Sequence, residues 1–189
     1  MGIIVLVIAA FVVISFVTYV VGIYNNLVQL RFNIDKSWAN IDVLLKQRRD
    51  ELPKIVDTCK AYMKYERDLL DKLTAARTAF LNAKDAGAKI EAENQISRVL
   101  KSVFAVAENY PDLKANQNFL QLQSRVSALE STIADRREFF NDSVNLYNIR
   151  IHQFPDMYMA KSMSYLPWQL LEIPEEDKKD VKLDFGMAN

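Results

Sequence analysis

The chain has 189 residues, with 24 basic and 24 acidic side chains and a formal net charge of zero, so it lacks the positive excess with which proteins gather nucleic acid. A single cysteine, Cys59, and a single histidine, His152, rule out an internal disulfide, a thiolate metal site and His-pair zinc motifs. Beyond residue 22 the only glycines are Gly87 and Gly186, which suits helices and excludes a glycine-rich phosphate loop.

The first charged residue is Arg31, and Gly2 to Ile23 is almost wholly apolar. Those twenty-two residues would form a helix of about 33 Å, enough to cross the hydrocarbon core of a bilayer. A cleaved signal peptide would want a basic start and a small-residue cleavage site, and neither is present. Leu6 stands where N-myristoylation wants Ser or Thr. The expectation is an uncleaved single-pass helix. Ile3, Val5, Ile8, Phe11, Ile14 and Phe16 would face lipid, with Tyr19 and Tyr24 near one interface. Arg31, Lys36, Lys46, Arg48 and Arg49 follow the span, a bias that puts the body on the cytoplasmic side of a cell membrane.

An apolar seam runs Leu27, Leu30, Ile34, Trp38, Ile41, Leu45, Arg48, Leu52, Ile55, Cys59 and Tyr62. It starts inside the charge-free segment, with no Gly or Pro between Ile23 and Leu52, so the membrane helix should continue straight into the body. Pro53 should kink this helix rather than end it, because the apolar period resumes beyond it. The pattern breaks at Asn82–Gly87, a helix-to-helix turn. Another helix follows over about Ala88 to Asn109, burying Ile96, Val99, Leu100, Val103 and Val106. Tyr110–Lys114 is the next connection.

The final helix runs from about Asn116 until Pro155 stops it. Its seam is Phe119, Leu122, Val126, Leu129, Ile133, Arg136, Phe140, Val144, Tyr147, Ile151 and Phe154. The fold class is therefore all-α: an N-terminal transmembrane helix (1–23) continuous with an antiparallel bundle of three long helices (24–155). A Met- and aromatic-rich tail with a charged end (156–189) completes the chain. Met157, Tyr158, Met163 and Trp168 stand out there. The tail either docks on the bundle as a fourth layer or meets a neighbouring subunit or the bilayer surface.

Several segments carry a family resemblance. Tyr24–Arg31, Ala39–Val43, Leu45-Lys46, Arg48-Arg49 and Leu52-Pro53 resemble the hallmark of the LemA family. So do Glu108–Asn116 with Phe119–Gln123, then Phe139–Asn141, Tyr147-Asn148, Phe154-Pro155 and the closing Val181–Phe185. The resemblance implies a bacterial protein with a membrane helix and a helical-bundle body, located in the inner membrane. It implies no particular activity. The Met- and Tyr-rich stretch from Met157 to Trp168 departs from the family pattern.

No nucleophile–base constellation emerges, so the chain is expected not to be an enzyme and to need no cofactor or metal. Glu108 with Asp112, and Asp135 with Glu138, lack the Glu-x-x-His partner of a bundle metal site. His152 reads as a capping or solvated histidine, and Cys59 as a small buried hydrophobe. Arg48 and Arg136 fall on apolar seams, where a charge must be paired or turned to water. Asn25, Asn26, Asn40 and Asp42 form a polar set close to the membrane, either structural or partner-binding. The partners expected are the lipid bilayer and further copies of the chain, or alternatively another membrane protein. Two functions fit: a self-associating scaffold that organises membrane, or an adaptor that presents its bundle to a membrane-protein partner.

Overall fold

A computed structural model describes residues 1–171. Among these residues there are six helices and no strand: α1 (Gly2–Lys60), α2 (Arg67–Asn82), α3 (Ala86–Ala107), α4 (Pro111–Lys114), α5 (Gln117–His152) and α6 (Asp156–Ser162). The fold is all-α. The first helix passes from the apolar run into the body without interruption and continues through Pro53. Pro53 forfeits one backbone hydrogen bond, while Leu52 and Ile55 on either side are fully packed and keep the helix going.

The body has four principal helices instead of the three expected. The first ends at Lys60, where the Cys59 carbonyl accepts from both Tyr62 and Met63 N–H (3.0 and 2.7 Å) and closes the final turn. Met63 then folds inward, 1% exposed, before α2 begins at Arg67. This break contains neither Gly nor Pro, so the usual punctuation is missing. Asp85 caps α3 by accepting from Ala88 N–H at 2.8 Å. Asn116 caps α5 by accepting from Asn118 and Phe119 N–H, and its amide donates to the Tyr62 hydroxyl at 3.0 Å.

The chain divides into two compact units. The first unit comprises Met1–Lys46 and Ser131–Leu170, and the second is built on Gln47–Glu130. In the first unit α1 and α5 run antiparallel: Ser37 meets Ser143, and one residue further along α1 Trp38 meets Phe140, three residues back on α5. Its core is Ile23, Leu27, Ile34, Ile41 and Leu45 of α1 against Ile133, Phe140, Val144, Tyr147 and Ile151 of α5, with Ala160 of α6.

Within the second unit the same antiparallel sense holds, with Arg48 meeting Glu130, Glu51 meeting Arg125 and Tyr62 meeting Asn116. A three-residue link turns α2 back along α3, and the two pack as a hairpin. Leu70, Leu73, Ala76 and Phe80 supply one side, and Ile90, Ile96, Leu100 and Val103 the other. Val99 and Val106, expected in this core, are half-buried. Burying each such Leu, Ile or Phe contributes about 1.5–3 kcal/mol, so the hairpin's stability comes from this seam more than from helix propensity.

Candidate functional site

Among the described residues no group of three or more His, Cys, Asp or Glu side chains could hold a metal ion. His152 is exposed, and its Nδ1 donates to the Asn148 carbonyl one turn back at 2.7 Å. Cys59 is fully packed, and burial pushes its thiol up to about 11. The features with functional content are instead an apolar span, a docked aromatic segment and a buried ion cluster.

The span is uncovered. Ile3, Val5, Ile8, Phe11, Ile14 and Phe16 are each more than half exposed, and Tyr19 and Tyr24 are exposed as well. None of the most apolar window of α1 is buried, and α1 is long and apolar enough to cross a membrane. Six bare large side chains in water would forgo about 1.5–3 kcal/mol each, so this surface needs an apolar surround.

Beyond the span, Asn25, Asn26 and Asn40 point to solvent, and Asp42 is half-buried with a 2.7 Å pair to Lys46. Arg31, the first charge, stacks over the Tyr165 ring at 4.9 Å. Tyr165 in turn lies 6.0 Å from Tyr147 of α5. The Tyr147 hydroxyl donates to the Leu166 carbonyl (3.2 Å), and burial raises its phenol above the usual range against the opposing pull of Arg31. Asn148 clasps Trp168 from both sides, donating to its carbonyl at 2.8 Å and accepting from its N–H at 3.0 Å.

The tail as far as Trp168 thus docks on its own chain. What aims it is the end of α6. Tyr165 N–H bonds to the Ala160 carbonyl and Ser164 N–H to the Lys161 carbonyl, a Schellman turn with Ser164 in the left-handed region at φ 54°. The buried Asp156 pairs with Arg150 at the other end of α6. Met157, Met163 and Trp168 are half-buried, and Tyr158 is exposed. The charged end of the tail lies outside the described residues.

In the second unit Arg48 is 1% exposed and forks between two helices. It donates to Glu93 (3.2 Å) and Ser97 (2.8 Å) of α3 and to Glu130 of α5 at 2.7 Å. One turn along α1, Glu51 pairs with Arg125 of α5 at 3.2 Å and with Lys54 at 3.1 Å. A lone buried guanidinium would cost several kcal/mol, and three charged or polar partners offset that. Arg136 takes the second of the two outcomes open to it: it is exposed, turned to water, and the arginine turned inward is Arg137, 7% exposed. From Ile133 to Phe140 the seam steps four then three, not three then four. Phe154, the last expected seam residue, is likewise exposed.

The roles of Glu93, Ser97 and Glu130 around Arg48, and the docking roles of Tyr165 and Asn148, are not readable from the sequence. Glu93 carried a usable signal, because it interrupts the apolar line of Ile90, Ile96 and Leu100 as Arg48 interrupts its own.

The model of the LemA family matches residues 37–185. Protein LemA of Metamycoplasma hominis is 26% identical over 162 residues, covering 85% of this chain and 74% of that protein. Magnetosome protein MamQ 2 of Paramagnetospirillum magneticum is 21% identical over 181 residues, covering 82% of this chain and 66% of the relative. Magnetosome protein MamQ of Magnetospirillum gryphiswaldense is 20% identical over 173 residues, covering 78% and 64%. The chain belongs to the LemA family and is a membrane-associated protein.

Proposed function

We propose that this LemA-family chain is a non-enzymatic scaffold of a bacterial inner membrane, anchored by α1 with its body in the cytoplasm, that associates laterally with copies of itself. The observation that carries this reading is a set of bare apolar side chains in the first unit. Phe32 and Val43 are 68% and 52% exposed and eleven residues apart, three helical turns on one stripe of α1. Phe139 and Leu146, at 54% and 55%, form a corresponding stripe on α5. Large apolar groups repeated at helical spacing on a surface suit contact with another helix. Asn25 and Asn26, exposed at the end of the span, would add hydrogen bonds between neighbouring anchors of about 1 kcal/mol or less. The magnetosome proteins among the relatives are consistent with a role at a membrane, and no finer likeness is carried over.

Light scattering on the full-length protein in detergent or nanodiscs tests this reading. A defined assembly of many chains, together with disulfide trapping of Asn26→Cys in native membranes, is the expected result. A monomer with no trapping sinks it. The second reading is an adaptor, favoured by an open depression of ≈ 650 Å³ lined by Lys60, Met63, Lys64, Arg67, Leu70 and Asp71. Its apolar floor and three cations would suit an acidic helix of another membrane protein. A monomer that co-purifies with a stoichiometric partner, lost in Lys64→Glu/Arg67→Glu, would favour it.

A further inference from the structure

The helical register fixes the height of the α5–α6 corner along α1. Trp38 meets Phe140, with ring centroids 6.1 Å apart. Seven residues toward the N-terminus on α1 is Arg31, and seven onward on α5 is Tyr147, and Tyr165 bridges these two. Two separate contacts therefore agree on the register. Five further residues, or about 7.5 Å of helix, bring α5 to its last residue, His152, level with Asn26, two residues past Tyr24 on α1, and Phe154 lies two residues beyond that helix end. Tyr24 is the first residue past the apolar run. Coverage of α1 agrees, because Ile23 and Leu27 are buried at 8% and 0% while the span before them is bare.

At this height the surface has unusual chemistry for a soluble corner. Phe154 is 78% exposed and Tyr158 63%, packed edge-on against each other with centroids at 6.1 Å. From residue 151 to 171 the only acid is Asp156, which is buried and paired with Arg150. Lys161 is exposed on the same short helix, and no charge of either sign occurs on α1 before Arg31. Bare aromatics, an exposed cation and no exposed acid match the headgroup layer of an anionic bilayer. Tyr19 and Tyr24, both exposed, lie along α1 at and just below this height.

We propose that the α5–α6 corner is a second membrane contact, with Phe154 and Tyr158 seated in the interface of an anionic bilayer beside α1. Two points of attachment then set the tilt of the α1–α5 pair, which a single anchor leaves free. The inference rests on α1 crossing the bilayer and is independent of self-association.

The test uses the full-length chain in nanodiscs of phosphatidylcholine and phosphatidylglycerol. An environment-sensitive NBD dye is attached to Tyr158→Cys, and in a parallel protein to Phe154→Cys, while buried Cys59 stays unlabelled. Asp142→Cys, an exposed site on α5 about 15 Å before that helix ends, is the aqueous control, and Ile8→Cys reports the span. The expected result is blue-shifted emission at 158 and 154, with quenching by headgroup-level spin-labelled lipid several-fold greater than at 142. Emission and quenching equal to those at 142 would overturn the proposal. A blue shift without lipid quenching would also overturn it, by pointing to a protein neighbour at this corner. Quenching at Ile8 by deep spin labels keeps the span itself separate, so a failure at 158 alone refutes only the second contact.

Discussion

The two units share α1 and α5 but are closed by different chemistry. In the first, the α1–α5 contact at mid-height is aromatic and neutral, Trp38 on Phe140 beside the Ser37–Ser143 hydroxyl pair. In the second, a guanidinium sits at the junction and reaches α3 and α5 at once. Two helices can be registered by the shape of interlocking rings, which tolerate small slides. A third helix adds a rotational choice that apolar stripes specify weakly. A forked cation answering carboxylates on two helices fixes that choice, because a slide of one turn leaves a buried charge unpaired.

The largest test of this contrast is Arg48→Met. It takes the guanidinium away from Glu93, which is fully buried, and should lower stability by about 3–5 kcal/mol, read as a depressed melting temperature by circular dichroism in detergent. Arg48→Met with Glu93→Leu should recover much of that loss while loosening the placement of α3, seen as faster amide exchange there. Full recovery with unchanged exchange would mean that the cluster specifies nothing.

In the first unit, Tyr165→Ala removes one ring pair and the Arg31 stacking, and should cost about 1–2 kcal/mol. Its signature is local: amide exchange at Trp168 rises while that of α2 and α3 holds. Ser164→Gly relieves a side chain from the left-handed region and should stabilise the same segment by about 1 kcal/mol. A loss of stability there would contradict the Schellman assignment. At neutral pH the smallest effect is expected from Cys59. Its thiol titrates near its ordinary 9.0 in the unfolded chain and about 11 in the folded one. Unfolded protein therefore loses this proton first, so the contribution of Cys59 is constant below pH 9 and declines as pH rises from 9 to 11. At neutral pH a maleimide should not react until denaturant is added.

Much of the fold was legible because one period repeats over long distances. The α5 seam places Phe119, Val126, Ile133, Phe140, Val144 and Tyr147 in the core, and all six are buried. It left Arg136 open between pairing and exposure, since from Ile133 a step of three or four lands on arginine either way and polarity cannot choose. The break at 61–66 was hidden because a buried methionine and two bonds to one carbonyl make that turn, with no Gly or Pro to mark it. Arg48 announced itself as a charge on an apolar line, but its partners are 45 and 82 residues away, and nothing local points to them. The tail's aromatics were conspicuous as a group. Where they dock depends on the single backbone reversal at Ser164, which composition does not reveal.

The discontinuity of the first unit has a consequence during synthesis. Ile34 and Ile41 are covered by α5 residues from Ile133 onward, while Gln47–Glu130 come between. At roughly 5–20 residues per second, the ribosome needs about 5–20 s to supply the missing half. The second unit has most of its residues before the first can close. For that interval the nascent chain carries a bare apolar ridge beyond its uncovered span, open to chaperones, to lipid and to the same ridge on a neighbouring nascent chain.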